Sequence, residues 1–490
     1  MYSIAQNIDP NKIFIVNRSE LQGRIDPDMV LYRKKTNSFR YNVILLKSLL
    51  KTQPQYGANE SGVVRKSRKE PRYIRITDIN EYGILIDSIG VTAEKIENKY
   101  ILENNDILFV RSGATVGKVY LHQKETVNYE CFFAGYMIRF VVDEGKILPK
   151  YLFSYTQLSP YREWVKAIQR AAGQPNINAE EYKSLLIPLP SISEQKNIVQ
   201  IIDEAYAIKQ QKETEAQTLL ASIDDYLLDE LGLTMPTTEI NVDEIVSCQG
   251  FELNRHNPVV KKGRLFLTMF SEIENRIDPE YYRSYYHTLF NEIKNTSYCK
   301  LKDLTQLIDY GLMPTQDYAR DKCSGVPFIR VTNILPSGEI DMNDIKYIPF
   351  DTPRIDQKRV KENDILMVQC GSTTGKVAIV PNEYENYLAN SFSFIIRSNK
   401  KIRQDFLFYI LGNPIVQMQI VRSQNIVSVR PNTSKPAVEN LLIPLPPIEK
   451  QSKIALHISE IRKKAKYLQV EATNILENAK QKVEQLILAE

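Results

Sequence analysis

At 490 residues the chain is longer than one hydrophobic core usually serves, so about two to four folding units are expected. Hydrophobic residues at 43% and charged residues at 25% exclude a disordered or fibrous chain, and 63 basic against 59 acidic residues give +4, which neither demands nor excludes a polyanionic partner. Apolar runs such as Val43–Leu46 and Ile107–Val110 stop at Lys47 and Arg111, well short of the roughly 20 residues of a membrane span, and Met1–Pro10 shows no basic segment followed by an apolar one, so a cytoplasmic protein without membrane contact is expected.

From the N-terminus, a strand-like Lys12–Val16 leads to Arg24-Ile25-Asp26-Pro27, and the pair returns as Arg264–Thr268 and Arg276-Ile277-Asp278-Pro279. Arg75-Ile76-Thr77 returns as Arg330-Val331-Thr332, Asn105–Leu108 as Asn363–Leu366, and Gly113–Lys118 as Gly371–Lys376. Leu185–Pro190 returns letter for letter as Leu441–Pro446. The offsets are 252, 255, 258, 258 and 256 residues, so order is kept and only loop lengths differ. This is a tandem duplication, with a period too long for a solenoid and suited to two homologous domains.

Each copy mixes short strand candidates (Tyr73–Ile76, Ile107–Val110, Phe328–Val331, Ile365–Val368) with helical stretches around Lys150–Arg170 and Gln404–Val421, which predicts an α+β domain. Beyond Pro190 and Pro447 the period changes to that of a long helix, with Ser191 or Ser193 available as a cap. Ile454, Ile458, Ile461, Ala465, Leu468, Ala472, Ile475, Ala479, Val483 and Leu486 recur by threes and fours without a Pro or Gly. Ile198, Ile201, Ala205, Ile208, Leu219, Ile223 and Tyr226 trace a similar stripe, interrupted at Lys212 and Glu215 and ended by Gly232 and Pro236. The spacing predicts two long helices that bury their stripes on each other and hold the two domains apart, with Ile198, Ala205, Leu219, Ile454, Ile461, Leu468 and Ile475 in the coiled-coil seam. The competing reading packs each helix on its own domain. The expected boundaries are 1–190 for the first domain, 191–231 for the first helix, 232–263 for a linker, 264–446 for the second domain and 447–490 for the second helix.

The densest charge cluster is Arg65, Lys66, Arg68, Lys69, Arg72 and Arg75, opposed only by Glu70, and such a run suits phosphate neutralisation with a salt-sensitive affinity. The second copy has no equal cluster; Arg330 stands among mixed charges. Gly113–Lys118 and Gly371–Lys376 resemble a P-loop, but three residues separate the glycines, valine follows the lysine and a strand-like run comes next, so nucleotide binding is not expected. Exposed N–H groups with Lys118 or Lys376 would suit a DNA phosphate, and the bland alternative is a turn kept for the fold. Arg111 and Ser112 precede the first turn, and Gln369 precedes the second, which contains Ser372. Arginine pairs with guanine and glutamine with adenine by geometry. Gln174 with Asn176, and Arg430 with Asn432, are further polar candidates, each flanking a proline that equally fits turn chemistry.

Enzyme readings lack their motifs: no GxGxxG after a strand, no Asn-Pro-Pro-Tyr-type methylation motif, no GxSxG and no metal-ligand spacing among five cysteines and four histidines. Asp106 and Asp364 precede apolar strands without an ExK partner, so no catalytic residue and no metal site are expected.

The ordered set, with GQPNI or RPNTS, then LLIPLP, then SISEQKNIVQIID or PIEKQSKIALHISEI, with SGATVGK and GSTTGK after the NDIL strands, resembles the specificity subunits of type I restriction–modification systems from about Ile13 to the end. The resemblance implies a non-catalytic subunit of a phage-defence complex with two target recognition domains, each reading one half of a split site in double-stranded DNA. It implies two antiparallel coiled-coil helices that join the domains in a pseudo-twofold arrangement, set the spacer and dock two modification (methyltransferase) subunits that bind S-adenosylmethionine, and a restriction/translocase subunit that uses ATP. No cofactor is expected on this chain. The competing functions are an assembly scaffold that reads no bases and the specificity module of another DNA-modification defence system.

Overall fold

The computed structural model describes residues 27–36, 38–169, 175–236, 273, 279–424 and 431–488. Lys12–Val16, Arg264–Thr268 and all of both Arg-Ile-Asp-Pro motifs except Pro27 and Pro279 lie outside them, as do Gln174 and Arg430. The chain forms two compact units, one of residues 1–214 with 468–490 and one of residues 215–467.

In the first unit a four-stranded antiparallel sheet orders Gln55–Tyr56, Met137–Phe140, Ile107–Val110 and Val119–Leu121. A second four-stranded sheet orders Val63–Val64, Val91–Thr92, Arg72–Ile74 and Cys131–Phe133, with the last pair parallel. The second unit repeats the scheme. Thr305–Tyr310, Ser393–Ser398, Ile365–Val368 and Val377–Ile379 make one sheet, and Lys346–Pro349, Gly325–Ile329 and Leu388–Ala389 make the other. The repeated NDIL motif has a local cause. Asn105 and Asn363 sit at φ 71° and 66°, the left-handed region asparagine tolerates, and the following aspartate turns inward. Asp106 accepts from Arg139 at 3.2 Å and Asp364 from Arg397 at 2.6 Å, so both carboxylates are buried anchors.

The helical stretches break at proline. Pro149–Tyr155 is separate from Ser159–Ile168, and Gln404–Gly412 from Pro414–Ser423, because proline fits a helix's first turn but not its interior. Trp164 is fully buried between Tyr161 and Tyr182, a core residue as its surroundings in sequence suggest. The LLIPLP segments supply Leu186–Pro188, antiparallel to Val43–Leu45, and Leu442–Pro444, antiparallel to Tyr298–Lys300.

The first long helix runs Ile192–Leu231 and the second Ile448–Ile487. Ser191 caps the first reciprocally with Glu194, and Gly232 at φ 66° closes its C-terminus, with Leu233 N–H donating to Leu228 O. Each unit contains part of both helices. In the first unit Lys212 pairs with Glu471 at 2.8 Å. In the second, Lys464 pairs with Glu215, His457 lies 4.4 Å from the Tyr226 ring and Lys450 pairs with Glu230, a falling order against a rising one that defines an antiparallel pair.

The helix stripes serve two purposes along their length. Ile198, Val483 and Ile487 enter the first unit's main core, and Ile454, Ala455, Ile458 and Leu227 enter that of the second. Ala205 and Leu468 are buried, whereas Leu219, Ile461 and Ile475 are half-buried. The buried line after Ala472 continues through Leu476, Lys480, Val483 and Ile487, so Ile475 and Leu486 give way to their C-terminal neighbours. A straight helix drifts about 20° per heptad, so over roughly five heptads the buried face moves forward by about one residue. In the first helix Lys209 is buried and Ile208 is exposed.

Candidate nucleic-acid interface

The glycine turns, the Pro-Asn segments and one tight strand connection meet at one rim in each unit. In the first, Arg111 N–H donates to Tyr136 O at 2.9 Å, and Arg111 O accepts from Ile177 N–H at 2.8 Å. Ser112 bridges to Asn176, and Gly113 N–H donates to Pro175 O. In the second, Gln369 N–H donates to Phe392 O at 2.8 Å, Gln369 O accepts from Thr433 N–H at 3.0 Å, Cys370 bridges to Asn432, and Gly371 N–H donates to Pro431 O. Sequence spacing alone does not reveal that Tyr136 and Phe392 belong here; both are exposed beside the turn.

The two glycines of each turn do different work. Gly117 and Gly375 are buried at φ 87° and 91°, where an added Cβ would lie 2.6 Å from Val165 or from the Gln417 amide. Gly113 and Gly371 also have positive φ, yet an added Cβ would meet nothing within 4 Å, so the turn's leading edge faces open space. Gly57 and Gly311 allow the close backbone approach beneath the rim, since a Cβ there would lie 2.3 Å from Ala134 O or Ala389 O. The turns are followed by strands, as the valines suggest, and not by helices.

The ammonium groups expected to meet a phosphate, those of Lys118 and Lys376, are each engaged within the chain. The Lys118 ammonium donates to Ile79 O at 2.9 Å and that of Lys376 to Ile334 O at 3.2 Å, and partial burial pulls the Lys118 pKa below its ordinary value. Each lysine thereby ties its turn to a hairpin, Asn80–Ile84 or Leu335–Glu339, closed around Gly83 or Gly338. The hairpin tips reach the long helices. The Tyr82 ring has the Lys209 ammonium at 4.4 Å and that of Lys480 at 5.6 Å. Glu339 accepts from Lys466 at 2.8 Å, and Ser337 O from Arg462 at 2.6 Å.

The basic run divides into core and surface. Arg65, 1% exposed, donates to the carbonyls of Arg68, Glu70 and Ile89 and covers the Tyr129 ring at 4.4 Å. Arg72, fully buried, donates to Tyr129 Oη, Ile86 O and Ser88 Oγ. These two guanidiniums are spent inside the protein, contrary to the expectation that they neutralise phosphates; Tyr73 is likewise buried, stacked on Phe132. Arg75 is bound to Asp78, whose hydrogen bonds push the guanidinium pKa up, and Arg330 is bound to Asp344. Lys66, Arg68 and Lys69 remain exposed, with Arg68 paired to Asp87 across solvent, a contact of little energetic weight. Ser372 and Asn432 are exposed at the second rim, and Asn176 at the first.

A motif signal that spacing alone leaves uninterpreted is the glutamine near the start of each long helix. Gln195, fully buried, accepts from Leu148 N–H at 2.8 Å and donates to the carbonyls of Lys146 and Pro190. Gln451 accepts from Arg403 N–H at 2.9 Å and donates to Pro446 O. Each amide locks a helix start to its domain. Among the described residues no group of three or more His, Cys, Asp or Glu side chains could hold a metal ion, and no helix is long and apolar enough to cross a membrane.

A duplicated α+β domain followed each time by a long helix defines the class, and comparison with known proteins supplies the family. The model of the type I restriction modification DNA specificity domain matches residues 34–218 and again 293–477. The chain belongs to this family. It is 25% identical over 337 residues to the EcoBI specificity subunit of Escherichia coli, an alignment covering 66% of this chain and 61% of that subunit's length. It is 23% identical over 414 residues to the MjaVIII specificity subunit of Methanocaldococcus jannaschii, covering 82% of this chain and 83% of the relative. Among solved structures, the type I restriction–modification S subunit of M. genitalium is similar over 92% of this chain and 97% of that one, at 12% identity and a TM-score of 0.39.

Proposed function

We propose that the chain is the DNA-reading subunit of a type I restriction–modification complex, without catalytic activity of its own, each unit taking one half of a bipartite duplex site. The observation that carries this reading is the rim built twice on the same backbone hydrogen bonds but with different side chains, Arg111 with Tyr136 and Gln369 with Phe392. One scaffold with two sets of polar groups is what recognition of an asymmetric sequence requires, since base edges are told apart by donor and acceptor pattern. Lys66, Arg68 and Lys69 add a sequence-independent attraction in the first half. The paired long helices would fix the unspecified spacer and dock two modification subunits, which carry S-adenosylmethionine; an ATP-driven restriction subunit would complete the assembly.

Footprinting with the modification subunits present is expected to show two protected elements separated by a fixed gap, and methylation without sequence preference would defeat the reading. Exchange of residues 13–190 for the equivalent domain of a relative is expected to change one half-site only. A scaffold that reads no bases would leave the preference unchanged.

A further inference from the structure

We infer that Arg111 and Gln369 are the base-reading residues at one shared register, Arg111 selecting guanine in one half-site and Gln369 selecting adenine in the other. The inference rests on the DNA-reading role proposed above. Its first support is positional. Both residues stand two places before the open glycine of their turn, and both are clamped on either side by backbone hydrogen bonds, to Tyr136 and Ile177 or to Phe392 and Thr433. The base of each side chain is therefore held rigidly at the rim.

The second support is that neither side chain has its polar groups engaged. The other arginines of the first unit's sheets and connecting loops mostly bind inside the protein: Arg65 to carbonyls, Arg72 to a carbonyl and two hydroxyls, Arg75 and Arg139 to carboxylates. Arg111 makes no hydrogen bond or ion pair through its guanidinium, and its Nε is buried without a partner. The group lies 4.9 Å from the Tyr56 ring centroid, a stacking contact that orients a planar fork and leaves its donor edge unsatisfied. Gln369 engages only its backbone and is half-buried, with no hydrogen bond from its side-chain amide.

The third support is the surroundings. Tyr136 is 62% exposed and Phe392 is 48% exposed, each the residue whose carbonyl clamps the reader, so an apolar face stands beside each polar group. With no Cβ at Gly113 or Gly371, a nucleic-acid backbone can approach the turn closely. An arginine fork matches guanine O6 and N7, and a glutamine amide matches adenine N6 and N7.

The test is selection from randomised duplexes with the full-length chain, alone and with modification subunits supplied, for the parent and for Arg111→Gln, Gln369→Arg and Arg111→Lys. The parent is expected to enrich a two-part consensus. Arg111→Gln should turn one guanine column into adenine in one half only, and Gln369→Arg should make the reverse change in the other half, each by about 5- to 150-fold in preference. Arg111→Lys keeps the charge but not the fork, so it should retain most of the affinity and lose that column's preference. A bipartite consensus whose columns are unmoved by the exchanges, or a guanine column that survives Arg111→Lys, would overturn the assignment and leave DNA reading intact. Failure of the parent to enrich any sequence would overturn both.

Discussion

Arginine in a basic run is ordinarily read as solvated charge, and Arg65 shows why that reading fails one residue at a time. Its guanidinium is 1% exposed and supplies three loop carbonyls with hydrogen bonds. Hydrogen bonds from charged groups are worth roughly 1.5–3 kcal/mol each and buried acceptors are costly to strand, so Arg65→Ala should cost about 3 kcal/mol or more in urea unfolding. Lys66→Gln with Lys69→Gln should leave stability unchanged and lower the slope of log affinity against log salt by about 0.9 for each phosphate no longer neutralised. Nothing in composition distinguishes these neighbours; burial does, and burial depends on how the segment from Val64 to Gly90 folds. His122 is a second residue whose surroundings decide its chemistry. Burial lowers its pKa from 6.5 to about 4, with the ring hydrogen-bonded to Tyr120 Oη. Between pH 6.5 and 4 the unfolded chain binds a proton that the native state refuses, so stability falls as pH falls, by on the order of 3 kcal/mol across the window. The difference in unfolding free energy between parent and His122→Gln should follow this course and be flat above pH 7.

At the level of elements, much of the architecture was legible. Duplication, the NDIL turns and the LLIPLP strands follow from residue types whose backbone preferences are strong, such as asparagine in the left-handed region and proline closing a strand. The register of the long helices was legible only in part, because a strict heptad places Ile475 and Leu486 where the real helix buries Leu476 and Ile487. Lys209 and Lys480 were hidden from any hydrophobic pattern, as polar residues buried around Tyr82. Meeting of the glycine turn with Asn176 and Tyr136 was also hidden, since these contacts join segments far apart in sequence. The two turn glycines give a sharp contrast to measure. Gly113→Ala meets only the strain of positive φ and should cost about 1 kcal/mol, whereas Gly117→Ala adds a 2.6 Å approach to Val165 and should cost visibly more in thermal unfolding.

For the whole molecule, the helix pair makes a length prediction. Inserting seven residues in both long helices adds about 10 Å at 1.5 Å per residue, which corresponds to roughly three base pairs of duplex at 3.4 Å each. The preferred gap between half-sites, read by footprinting, is expected to grow by that step, and an unchanged gap would show that the helices do not set it. The hairpins at Tyr82 and at Ser337–Glu339 bind each globular head to particular positions on the long helices. Each tip sits against helix residues chosen for it, Lys209 and Lys480 for an aromatic ring, Arg462 and Lys466 for a carbonyl and a carboxylate. A head exchanged at the LLIPLP segments therefore leaves its seat behind on the old helices, and such a chimera is expected to melt at a lower temperature than either parent even where its preference has moved.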